Sequence, residues 1–249
     1  MTKEIDKIKR VYNLLAKEYH QLRVSGKKFH NEYLEMPTTL KLLGNVKGKK
    51  VLDWGYGTGI YAKILAKKGA IVKGIDISNK EIEIAKRENP KIEFKIANAE
   101  KLPYKNKEFD IVLVSLSLNY LKNWNSVLKE IYRVLKPNGI FVFSEGNPVS
   151  DSIRFNENRK IDIRRSYFDE KNPVKIPWWN GVIMQFYHKT YGTIIKLLRK
   201  HGFELLDYED SFPIMQAKKK FPEDYAMSSL LPYFCTWKWG KKGFVSLML

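Results

Sequence analysis

The sequence predicts an α/β fold in which an open, largely parallel sheet is doubly wound, with helices on both faces. Three observations carry this. Apolar runs of strand length alternate with amphipathic runs of helix length from Lys50 to Ser144. A glycine-rich turn, Gly55-Tyr56-Gly57-Thr58-Gly59, follows the first run, and a carboxylate, Asp76, ends the second. A chain of 249 residues fits one such domain, 1–249, with room for an insertion.

Each element follows from spacing and punctuation. Ile8, Val11, Leu15, Tyr19 and Leu22 recur at three- and four-residue steps, the stripe of an amphipathic helix over 4–22. A second short helix follows Pro37, with Leu40, Leu42 and Leu43 before Gly44, so that 1–45 reads as a helical cap ahead of the sheet. Strand Lys50 to Trp54 leads into a helix from Ile60 to about Lys68, stopped by Gly69. Strand Ile71 to Ile75 leads into a helix whose start, Ser78 to Glu81, has the spacing of a capping box. Ile92 to Ala97 and the almost wholly apolar Phe109 to Ser115 are the third and fourth strands, the latter suited to burial on both faces. Val127, Leu128, Ile131, Val134 and Leu135 form a helix ended by Pro137-Asn138-Gly139, and strand Ile140 to Ser144 follows. The rhythm then breaks over 146–188, which is rich in proline, charge and aromatics. It resumes with a helix at Thr190 to His201 and strands at Phe203 to Tyr208 and Tyr233 to Trp239.

The glycine turn and Asp76 together form a nucleoside-binding signature. The glycines bend the chain and bring backbone close to a ligand, and Asp76 is placed to accept from the two hydroxyls of a ribose. Gly55, Gly57 and Gly59 lack the spacing of a dinucleotide turn, and Asp53 beside the turn would repel a pyrophosphate while suiting a cationic ligand.

This spacing resembles motif I of the class I S-adenosylmethionine-dependent methyltransferases. The likeness extends to Gly74 to Ser78, Asn98-Ala99-Glu100-Lys101-Leu102-Pro103-Tyr104, Phe109-Asp110-Ile111-Val112 and Glu130 to Gly139. It is greatest to members that modify small molecules, including quinone-type and other metabolite acceptors. The resemblance implies a seven-stranded Rossmann-like sheet and S-adenosyl-L-methionine as cofactor. Asp53, Gly55, Gly57 and Gly59 would hold its methionine end, with the backbone of Ser115 near the ammonium. Asp76 would bind the ribose and Ile77 pack on the adenine, whose edge Asn98, Ala99 and Glu100 would flank. Tyr19 and Arg23 of the first helix would close over the carboxylate. Trp54 and Tyr56 stand where the family has small or aliphatic residues, so two large rings must fit beside the turn, by packing or in the substrate pocket. Where relatives carry a His pair after the fourth strand, this chain has Asn119 and Tyr120; Tyr120 and His188 are therefore the candidates for orienting or deprotonating an acceptor. The segment 146–188 would form a lid over the acceptor pocket, its aromatics, Trp178 and Trp179 among them, enclosing an apolar or planar molecule.

Composition leaves partners partly open. The net charge of +18 admits a polyanion, yet the 45 basic residues are mostly lysine and spread along the chain, which favours a solvated surface. An RNA methyltransferase, or a non-catalytic subunit keeping the cofactor fold, is the competing reading; a small-molecule methyltransferase is preferred. One cysteine excludes an internal disulfide and a multi-cysteine zinc site, and no metal site is predicted. No apolar stretch reaches the roughly 18 to 20 residues that span a bilayer, so a cytoplasmic protein without membrane insertion is expected. Oligomeric state is not legible.

Overall fold

The computed structural model describes residues 3–156, 160–177 and 181–242. Its centre is a seven-stranded sheet in the order β10-β11-β5-β4-β1-β2-β3. Here β1 is Lys50–Trp54, β2 Ile71–Asp76, β3 Glu93–Ile96, β4 Phe109–Ser115, β5 Leu135–Gly146, β10 Phe203–Asp210 and β11 Phe234–Lys241. Five strands run parallel, and β11 is antiparallel to both β5 and β10. The helices α3 (Ile60–Lys67), α4 (Asn79–Glu88), α5 (Asn125–Val134) and α6 (Tyr191–Lys200) connect the strands. One buried apolar cluster, with Trp124, Phe141, Phe143, Trp237 and Trp239, fills one face; a second, with Tyr61, Leu65, Ile82 and Phe94, fills the other. The expected doubly wound seven-stranded fold is therefore the one observed.

Several boundaries differ from the sequence reading for identifiable reasons. Pro137-Asn138-Gly139 does not sit between helix and strand. It forms an irregularity inside β5, with Asn138 at φ 63° and a register shift against β4. The expected capping box at α4 is half formed. Ser78 Oγ accepts from the Glu81 N–H at 3.2 Å, but Asp76 Oδ1 already takes the Ser78 N–H at 2.8 Å, so the Glu81 carboxyl has nothing to return to. Ahead of the sheet lie a long helix α1 (Lys3–Val24), a π-helical turn His30–Glu35 and α2 (Met36–Leu43). Two short helices, α7 (Met215–Lys220) and α8 (Pro222–Ser228), occupy a stretch the sequence reading left without structure.

Over 146–188 the described residues form two antiparallel ribbons, β6 (Ile153–Phe155) with β7 (Ile161–Ile163) and β8 (Val174–Pro177) with β9 (Ile183–Phe186). Trp178 and Trp179 lie outside the described residues. No helix among the described residues is long and apolar enough to cross a membrane.

Candidate cofactor and acceptor site

The strand order reverses between β1 and β4, and a ligand crevice belongs beyond the carboxyl ends of strands at such a point. A cleft of about 1120 Å³, open mouth included, lies there. Its floor is built from strand ends: Asp53 and Trp54 from β1, Asp76 at the end of β2 with Ile77 after it, Asn98 and Ala99 after β3, and Ser115 at the end of β4 with Leu116 and Ser117 after it. Its roof is α1, which contributes Ile5, Ile8, Tyr12, Tyr19 and Arg23. Side-chain hydrogen bonds hold that roof around the rim. Tyr12 and Tyr120 share one at 2.6 Å, Ser78 donates to Asn13 at 2.8 Å, and His20 Nδ1 is bonded to Thr58 Oγ1 at 2.8 Å.

The glycine turn adopts the left-handed backbone the ligand-facing bend requires, with Gly55 at φ 70° and Gly57 at φ 55°. Gly57 donates its N–H to Asp76 Oδ2 at 2.9 Å, so turn and acidic strand end brace each other. Trp54 and Tyr56 fit by packing at the cleft wall. Tyr56 lies 4.5 Å from the Phe94 ring, and a Cβ on Gly74 would come within 2.6 Å of its ring. Gly74 thus makes room for the large ring that motif I carries here.

Beneath the floor, Glu35 is fully buried and accepts from Thr39, Tyr61, Ser115 and Ser144 hydroxyls at 2.5 to 3.0 Å. This hub ties the π-helical turn to α2, α3, β4 and β5. Sequence reasoning missed it, because those residues meet only in the fold. Leu116, just past β4, takes φ 47°, a conformation unusual for a side chain of its size, and it lines the cleft.

Buried polar atoms without a protein partner show what the cleft is built to hold. Asp53 Oδ2, Arg23 Nη2 and both Glu81 carboxyl oxygens are such atoms, all on residues of the cleft lining. Burial, and next the neighbouring Asp76 charge, push the Asp53 carboxyl up to about 7; burial also raises that of Asp76. Arg23 is anchored through Nε to Glu32 at 2.6 Å and is also engaged by Tyr19, while its Nη2 has no acceptor among the described residues. An acid and a guanidinium with open positions in one cleft suit the ammonium and carboxylate of an amino acid, and the remaining acids suit hydroxyls and a cationic centre. The residues present therefore fit a nucleoside joined to a cationic amino acid.

Of the residues singled out from sequence, Tyr19, Arg23, Asp53, Gly55, Gly57, Asp76, Ile77, Asn98, Ala99, Ser115 and Tyr120 line this cleft. Three do not. Gly59 begins α3 and packs behind the turn, where a Cβ would meet Phe94 at 3.2 Å and Ala85 at 3.3 Å. Glu100 is exposed, its N–H closing a turn on Asn98 Oδ1 at 3.0 Å. His188 is buried outside the cleft, Nδ1 at 3.0 Å from Asp151 Oδ2 and Nε2 at 2.8 Å from the Tyr167 carbonyl, so neither ring nitrogen is open to an acceptor. Burial pushes the Tyr120 phenol well up, which leaves it able to orient an acceptor but not to deprotonate one. Tyr12, Glu35 and Glu81 were not foreseen. A glutamate at the i−4 position from buried Ala85, on the covered face of α4, is the sequence signal that marks the last of them.

A second, mostly apolar cavity of about 370 Å³ adjoins the first. Ile8, Val11, Tyr120, Ile183, Met184 and Tyr187 are in its wall, so it lies between α1 and the β8–β9 ribbon. Ile8 and Tyr120 face both spaces, and the Tyr12–Tyr120 hydrogen bond stands at the partition.

Comparison with known proteins agrees with this geometry. Residues 52–143 match the family model described as a methyltransferase domain. The demethylmenaquinone methyltransferase of Chlorobaculum parvum is 32% identical over 215 residues, covering 83% of this chain and 88% of its own. An uncharacterized Haemophilus influenzae protein is 31% identical over 198 residues, 72% of this chain and 77% of its own. The alignment with the Tropheryma whipplei demethylmenaquinone methyltransferase spans about 60% of that protein's length. The crystal structure of an S-adenosylmethionine dependent methyltransferase from Mesorhizobium loti superposes with a TM-score of 0.73 at 28% identity, over 83% of this chain and 97% of that one. The fold, the open polar groups of the cleft and these likenesses converge: the chain belongs to the class I S-adenosylmethionine-dependent methyltransferases.

Proposed function

We propose that this enzyme methylates a small, planar or apolar acceptor that reaches the cleft from the cavity beneath the β8–β9 ribbon. The observation that carries the reading is the second cavity, which is mostly apolar, shares Ile8 and Tyr120 with the wall of the cofactor cleft, and is built partly from the inserted segment. Relatives named demethylmenaquinone methyltransferases support an acceptor of this planar kind. In this reading 1–45 is the cap over the cofactor and 146–188 the lid over the acceptor.

Asp76 takes the ribose, Ile77 and Ala99 pack the adenine, and Asn98 meets its edge. Asp53, Gly55, Gly57 and the Ser115 backbone receive the amino-acid end, which Tyr19 and Arg23 cover from α1. The bound cofactor supplies a methyl group already activated on a sulfonium. The protein's part is alignment and exclusion of water: an acceptor atom held at about 3 to 3.5 Å from the methyl carbon along the displacement axis meets the main requirement. Tyr120, on the partition, orients that acceptor through its hydroxyl. The lone, buried Cys235 suits a reducing, cytoplasmic setting, which is part of this reading.

The test is incubation of the protein with methyl-labelled S-adenosylmethionine and separate lipid and aqueous cell extracts, with and without ribonuclease. Label entering a small molecule of the organic phase, insensitive to ribonuclease, is the expected result. Label confined to a ribonuclease-sensitive fraction overturns the acceptor class.

A further inference from the structure

We propose that Glu81 is a second carboxyl of the nucleoside site, taking one hydroxyl of the cofactor ribose from the side opposite Asp76. The inference rests on the reading that Asp76 and the glycine turn hold the cofactor.

Glu81 is 1% exposed, lines the cleft, and has no hydrogen-bond partner on either carboxyl oxygen among the described residues. A buried carboxyl left open in this way is costly unless something completes it. Its sequence position, three residues after Ser78, suits the return half of a helix cap. That half is blocked, because Asp76 Oδ1 holds the Ser78 N–H. The carboxyl instead turns toward the glycine turn, with Oε2 3.5 Å from the Cβ position of Gly57. Gly57 is the residue whose N–H binds Asp76 Oδ2 at 2.9 Å. Two carboxyls therefore flank one glycine at the edge of the same cleft, and the absent side chain at Gly57 leaves the space between them open.

The chemistry of the pair suits a vicinal diol. Burial raises the Asp76 carboxyl, and the backbone N–H groups on both of its oxygens oppose that rise and use it as an acceptor. Burial, and next the Asp76 charge, push the Glu81 carboxyl up to about 9, with Arg23 opposing. At neutral pH Glu81 thus carries a proton and presents both a donor and an acceptor, while both Asp76 oxygens already serve as acceptors of backbone N–H groups. One hydroxyl can donate a hydrogen bond to Asp76 while the other exchanges hydrogen bonds with Glu81. A phosphate on either hydroxyl would meet an acidic wall, so the site selects an unmodified ribose.

The experiment is calorimetric titration of S-adenosylhomocysteine and of its 2′-deoxy and 3′-deoxy analogues into wild type, Glu81→Gln, Glu81→Leu and Asp76→Ala, each checked by thermal melting. Glutamine keeps a donor and an acceptor and should stay within about threefold of wild type. Leucine should weaken the ribose ligand about tenfold. It should leave unchanged the one deoxy analogue that lacks the hydroxyl facing Glu81. Equal losses for all three ligands in Glu81→Leu, or no loss for any, overturn the proposal. A loss in Asp76→Ala without one in Glu81→Leu overturns it while the cofactor-site reading stands. Failure of the wild type to bind S-adenosylhomocysteine removes both.

Discussion

Asp53 is asked to do two things that pull in opposite directions. Its carboxyl stands at about 7 in the fold against an ordinary 3.8, because burial and Asp76 disfavour the charge. The folded state therefore holds its proton more tightly than the unfolded chain, and the empty protein loses stability as pH rises from about 4 through 7. Asp53→Asn cannot ionise and should be more stable than wild type at pH 8, by at most about 4 kcal/mol. The two should converge near pH 4, as followed by urea denaturation at each pH. An ammonium group needs the ionised form, so affinity for S-adenosylhomocysteine should fall toward tenfold per pH unit below about 6 in wild type. The asparagine variant should bind weakly with a flat profile; a flat wild-type profile would remove Asp53 from the ammonium site. Asp76→Ala should lose about 1.5 to 3 kcal/mol for each hydrogen bond to the charged group, read by the same calorimetry. The positions of Asp53, Gly55, Gly57 and Asp76 were legible because a strand, a turn and the next strand end fix them locally. Glu35 and Tyr12 were not, since apart from Thr39 beside Glu35 their hydrogen-bond partners arrive from elements tens of residues away. Glu81 was misassigned to a helix cap because sequence spacing cannot show that Asp76 would claim the partner N–H first.

At the scale of elements, local signals and tertiary contacts divide the same way. Strong periodicity and glycine punctuation placed β1, β4, α3 and α6 to within a residue or so. The exposed Lys218-Lys219-Lys220 run, part of the solvated lysine surface, also ends the short helix α7, whose Ala217 is buried. No apolar stripe announces so short an element. The ribbons of 146–188 are three to four residues a strand, below the length at which alternation can be distinguished. Ser78 joins two elements, capping α4 and donating to Asn13 of α1. Ser78→Ala should lower stability by about 1 kcal/mol in a denaturant titration, the usual cost of a lost cap. Met184 of β9 is buried in the wall of the second cavity and far from the glycine turn in sequence. Met184→Ala should raise KM for the acceptor several-fold while calorimetric affinity for S-adenosylhomocysteine stays within about twofold. The reverse pattern would place the acceptor elsewhere.

For the whole molecule, the charge of +18 comes mostly from lysines spread along the chain, which we read as a generic field. Binding to an arbitrary RNA should be weak at physiological salt and should fall steeply as salt rises, following the release of counterions. Tight binding that resists salt would point to a specific polyanion partner. The roof over the cofactor cleft has a consequence in time. Tyr12, Asn13 and His20 fasten α1 to three different parts of the rim, and Tyr19 and Arg23 of the same helix cover the ligand space. With the ligand space covered in this way, release of the spent cofactor is expected to be coupled to the opening of α1, so that turnover depends on how firmly the helix is fastened as well as on bond making. Amide hydrogen exchange along α1 would read that clock directly: it should slow when S-adenosylhomocysteine is bound, and loosening the Tyr12 fastening should quicken both exchange and product release.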